Sequence, residues 1–115
     1  MVYHTLFYAH FYLQPRKEDF MPWAKHRKNY HLMEPGGEPN SKAEILEYCE
    51  IVQQQIDKQV SASDLSAPSG FEWLPFNRLE THLYNIRHLQ HHVGELSERV
   101  GVAANVEVDW VVKMD

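Results

Sequence analysis

A single cysteine, Cys49, stands among the 115 residues, so no disulfide can form within the chain and a reducing, cytoplasmic setting is expected. Long hydrophobic runs are missing as well. The longest apolar stretch, Leu6 to Leu13, is interrupted by His10 and falls far short of the roughly 20 residues that cross a bilayer. No positively charged segment precedes it, which argues against a secretory signal. Basic charge is not in excess: 11 Lys and Arg against 16 Asp and Glu give −5, the wrong sign for a protein that coats nucleic acid. Neither a Ser-His-Asp grouping nor a phosphate-cradling glycine loop nor a nucleotide motif can be found. Membrane insertion and nucleic-acid binding are therefore not expected.

What is there is ordinary in bulk: 43% hydrophobic and 23% charged residues suit one globular domain over residues 1–115. Two counts are high, eight histidines and fourteen aromatic residues. The residues 2–13, VYHTLFYAHFYL, run without a breaker until Pro15. Their aromatics cover every side of a helical wheel, so the expectation is a helix buried all round, within its own chain or against another. A buried strand is the competing reading. Residues 14–40 are loop-like, with Pro15, Pro22, Pro35, Gly36, Gly37 and Pro39.

Ser41-Lys42-Ala43-Glu44 reads as a capping box, and Ile45, Cys49, Val52, Ile56 and Val60 behind it form one stripe of an amphipathic helix that ends before Ser61. A third, longest helix is expected from Pro75 to Gly101, carried by Phe76, Leu79, Leu83, Ile86, Leu89, Val93, Leu96 and Val100. Val106 to Trp110 alternates like a short strand, or is an extended tail packing Trp110 on the bundle. The fold class is all-α, with three long helices joined by long loops.

Four histidines, His82, His88, His91 and His92, fall on the third helix. His88 and His92 are four apart, so their rings stack on one face and can converge on a metal ion. They lie on the flank of the apolar stripe, between core and solvent. His91 points nearer solvent and is read as exposed or as a group supporting the ligands. His82 is expected to be buried and hydrogen-bonded. Glu95 is placed to orient His91 or His92, or to face water. A catalytic zinc site needs three protein ligands, and the third must come from elsewhere: His4, among aromatics in the first helix, or His10 nearer Pro15. A bare histidine pair at this spacing also arises by chance.

The stretch Asn85 to Leu96, NIRHLQHHVGEL, resembles the last-helix signature of the DinB/YfiT-like superfamily, H-x-x-H-H-x-G-[QE]-[LI]. Tyr3 to Leu13 is similar to that family's second helix, where one histidine sits among aromatics, and Val108-Asp109-Trp110-Val111 resembles its tryptophan-bearing tail. The resemblance implies a helical bundle in which His4, His88 and His92 hold a divalent metal, zinc or nickel. It further implies a metal-dependent hydrolase or a thiol-dependent transferase. Nothing in the residues chooses between those chemistries or assigns a catalytic residue. Family members begin with a helix before the histidine-bearing one, so either the chain is an incomplete member or a second copy supplies the missing layer; the expectation is the second, a homodimer that buries the outer face of the first helix. The alternative is a non-catalytic helical dimerisation module with incidental histidines. If the triad forms, its ring nitrogens should lie within about 4 Å of one another.

Two features have plainer readings. The basic, aromatic-interleaved residues 23–31 are a solvated loop in an acidic chain, with an anion or single-stranded nucleic-acid contact as the rival. Cys49, on the stripe of the second helix, is expected to be a buried, inert thiol.

Overall fold

The computed structural model describes residues 1–26, 39–110 and 112. The basic residues 27–31, the breakers Pro35, Gly36 and Gly37, and Val111 lie outside the described residues. Three α-helices follow in order: α1 (Val2–Leu13), α2 (Lys42–Ala62) and α3 (Arg78–Ala104), with a 3-10 turn at Lys17–Asp19 between the first two. No strand occurs among the described residues.

The chain ends its helices where local chemistry dictates. Pro15 disfavours helical backbone at Gln14, which turns extended (φ −71°, ψ 146°) and closes α1. Ser41 and Glu44 form the expected capping box at the start of α2. That helix runs two residues further than expected, through Ala62, because Ser63 Oγ donates to Gln59 O at 2.8 Å and holds the last turn. α3 starts later than Pro75, since the Asn77 side chain accepts the Glu80 N–H. It also continues past Gly101 and stops at Asn105, whose left-handed conformation (φ 51°) terminates the helix.

α1 lies in the middle and packs on both α2 and α3, which share little contact with each other. Its aromatics are covered from within the chain. Tyr3, Phe7 and Ala9 pack with Trp23, Tyr48 and Val52, and Trp23 stacks on Tyr48 at 4.6 Å. At the other end Tyr12 packs with Phe71 and Leu74. The outer face of the first helix is therefore not the uncovered surface.

The uncovered apolar surface is instead on the other helices. On α3 the expected core residues Leu79, Leu83, Ile86, Val93 and Val100 are all exposed, as are Ile56 and Val60 on α2. Of these, Ile56, Val60, Leu79, Leu83 and Ile86 border an apolar groove that also takes in Ala9, Leu13 and Leu65. The face that α3 turns inward is polar: Arg78, Thr81, Asn85 and His92 are buried. Apolar periodicity marked a real stripe, but not the stripe that faces α1. Trp110, at 86% exposure, does not pack on the bundle, and residues 106–110 form neither strand nor helix. Cys49 is only half-buried.

Arg78 locks the lower end of this arrangement. The residue is 3% exposed, and its guanidinium donates to Ser69 O at 2.7 Å, Tyr12 O at 3.1 Å and Leu13 O at 3.2 Å. The last two are terminal carbonyls of α1 that no further helical turn could satisfy. Gly70 makes the same corner possible. Its φ is +85°, and a Cβ there would meet Pro15 O at 1.8 Å.

Candidate metal centre

The inward stripe of α3 recurs as Arg78, Thr81, Asn85, His88 and His92, steps of three and four that keep one helical face. Asn85 fastens this face to α1 by donating from Nδ2 to Ala9 O at 3.0 Å. One and two turns further on, His88 and His92 meet His4 of α1. Ring centroids are 4.6 Å apart for His88 and His92, 4.9 Å for His4 and His92, and 5.6 Å for His4 and His88. One ligand atom from each lies within 4.8 Å of the others. The Nε2 atoms of His88 and His92 are 3.2 Å apart.

That separation fits a metal. Two nitrogens bonded at 2.0–2.1 Å to a tetrahedral ion stand about 3.4 Å apart. Neutral imidazoles are required, because a protonated nitrogen cannot ligate. Burial, followed by the neighbouring His92, His4 and His91 rings, pushes the pKa of His88 down to about 4, so its ring is uncharged at neutral pH. His92 is turned by Glu95, whose carboxylate oxygen lies 2.9 Å from Nδ1. Accepting the Nδ1 proton leaves the Nε2 lone pair aimed at His88 and His4. The same Glu95 oxygen is 3.1 Å from Nε2 of the exposed His91. Glu95 thus touches both histidines it was expected to orient. His91, His92 and Glu95 form a second group with metal-holding geometry, but it is the more exposed of the two.

The rivals among the histidines fall elsewhere. His10 faces α2, with Nδ1 3.1 Å from Tyr48 Oη, and is not a member of the triad. His82 is half-buried and hydrogen-bonded to Ser63 Oγ at 3.0 Å. Burial and the nearby Arg78 charge lower its pKa. His4 contacts Tyr8 at 4.9 Å between ring centroids, and Tyr8 also meets His88 edge-on at 5.4 Å.

The sequence marks Tyr8 only as one of the aromatics of the first helix, and gives no role to Tyr84 and Arg87, which line a cavity of about 370 Å³ with His88 and His91. The Arg87 guanidinium lies 5.4 Å over the Tyr84 ring. Two buried atoms on this face have no hydrogen-bonding partner among the described residues, Asn85 Oδ1 and His88 Nδ1. Such atoms are rare in packed proteins, and a bound ion or water or a functional role is among the reasons for them. The polar steps of three and four along α3 were the signal that would have exposed this face.

The chain matches no protein-family model, no curated protein and no solved structure.

Proposed function

We propose that the chain is a metal-binding protein of the DinB/YfiT-like kind, in which His4, His88 and His92 hold one divalent ion, zinc or nickel, with a further position open to a small-molecule or thiol substrate. One observation carries this reading: imidazoles more than 80 residues apart in sequence converge across α1 and α3. The donor set suits a borderline ion of that type. Such an ion would supply Lewis acidity, lowering the pKa of a bound water or thiol. The chain's own groups do the positioning. Glu95 sets the tautomer of His92, Tyr8 packs on two of the three rings, and Arg87 offers a charge to an anionic group in the adjoining cavity. Hydrolysis and thiol transfer are the two reactions this arrangement serves.

Metal analysis of protein purified without an affinity tag tests the reading. About one zinc or nickel per chain is expected, lost in His88→Ala and His92→Ala. Binding restricted to the native state also stabilises it, by about 2.7 kcal/mol at a hundredfold excess over the dissociation constant. Absence of metal, with melting temperatures unaffected by a chelator at neutral pH, refutes it. Screening the loaded protein against activated esters and thiol acceptors then separates hydrolase from transferase.

A specific observation also supports homodimerisation. The exposed residues Leu79, Ile86, Val93 and Val100 recur every seven positions along α3, with Leu83 between the first two. A seven-residue apolar seam is self-complementary, so a second α3 fits it. We infer a dimer through this seam, which light scattering of Ile86→Glu against the unmodified chain would detect as a shift to monomer. A monomeric unmodified chain at micromolar concentration excludes the dimer and leaves the metal reading intact.

A further inference from the structure

A second cavity opens on the opposite flank of α1, between it, α2 and the segment before Trp23. It holds about 510 Å³, within the range of small-molecule sites, and shares no residue with the histidine triad. The most deeply buried titratable group lining it is His10, at 6% exposure. Tyr48 Oη lies beside its Nδ1, while Nε2 has no hydrogen-bonding partner among the described residues. That nitrogen is not one of the sealed, unpartnered atoms, so it is reached from the cavity. Burial lowers the pKa of the ring, which leaves a neutral imidazole with one N–H. With the Tyr48 hydroxyl donating to Nδ1, that N–H sits on Nε2 and aims a donor into the space.

Further donors surround it. Gln14, Gln55 and Gln59 line the same wall and contact one another only at 3.5 Å, longer than the 2.7–3.2 Å of a good N–H···O bond. Gln14 Nε2 also donates to His10 O at 3.3 Å, so the amides of Gln55 and Gln59 are the ones that keep bonding capacity for something else. Lys58 reaches the rim and pairs with no carboxylate among the described residues. The one acid on the lining, Asp19, is held by Arg16 at 3.0 and 3.2 Å. Met21, Trp23 and Ile51 supply apolar wall.

We propose that this cavity binds a small carboxylate with an apolar body. The carboxylate accepts from His10 Nε2–H and from the Lys58 ammonium, and the hydrocarbon part lies against Met21, Trp23 and Ile51. A cationic ligand finds no free acid there, and a purely apolar one would strip water from His10 and the glutamine amides without replacing their hydrogen bonds.

The test is a heteronuclear NMR titration of the full chain as purified. Acetate, hexanoate, benzoate and 3-phenylpropionate serve as probes, each beside its primary amide. Saturable shifts at His10, Gln55 and Gln59 are expected with an acid bearing a hydrocarbon body, and about tenfold weaker binding for its amide. Lys58→Met, a change at an exposed position, should abolish that preference. Equal affinity for acid and amide overturns the proposal. So does the lack of saturation with all four acids up to about 10 mM, and so do shifts confined to His88 and His92, which would send the carboxylate to the triad instead.

Discussion

Replacing Arg78 with methionine keeps most of the aliphatic stem and removes the guanidinium. Three carbonyls, those of Tyr12, Leu13 and Ser69, then lose their donor. A hydrogen bond from a charged donor contributes about 1.5–3 kcal/mol net. Three bonds sharing one group do not add fully, and relief from burying the charge offsets part of the loss. Burial does lower the Arg78 pKa, the sign expected if the charge is costly to hold there. A net loss of about 3 kcal/mol follows. Against roughly 6–17 kcal/mol for a chain of 115 residues, that is a large share, and it corresponds to a melting temperature lower by about 12 °C. Arg78→Lys should recover only part of it, because an ammonium cannot match the planar fork that reaches α1 and Ser69 together. Circular dichroism at 222 nm, in heat and in urea, measures both variants. A methionine variant within about 1 kcal/mol of the unmodified chain would refute the idea that this guanidinium caps α1.

Three further outcomes are expected. Gly70→Ala should destabilise by about 3 kcal/mol or more in urea, since it combines an unfavourable φ with a clash against Pro15 O. Gly94→Ala should act oppositely, raising stability by about 0.5–1 kcal/mol, because a Cβ on that helical position has nothing within 4 Å; a loss measured in the same urea titration would contradict this. The third concerns pH. The folded-state pKa of His10 lies below its ordinary value of 6.5, so the unfolded chain binds more protons between those two values and stability falls as pH drops through that window. His10→Gln should flatten this part of a stability-versus-pH profile, and an unchanged slope would show that His10 does not carry it.

The helices were legible because their signals are local. A capping Ser41 with Glu44, a proline after Leu13 and long apolar periodicities each act within a turn or two. The orientation of α3 was not, because the usual equation of apolar stripe with core fails here. Its inward face pairs Asn85 with a backbone carbonyl of α1 and Arg78 with two more, contacts that depend on residues over 60 positions away. The pair His88 and His92 could be seen from spacing alone. Its meeting with His4, and the turning of His10 toward Tyr48, required the packing angle of α1 against both neighbours.

The central place of α1 has a consequence for the chain as it is made. The most aromatic segment comes before both of its covers, and α3 is complete only about 90 residues after α1 ends. At synthesis rates of 5–20 residues per second, that interval is roughly 5–18 s. During it Tyr3, Phe7 and Tyr12 have no finished surface to bury against, first lacking α2 and then α3. The helix that later carries one ligand of the triad is thus an aromatic segment that waits longest for its full cover in the newborn protein.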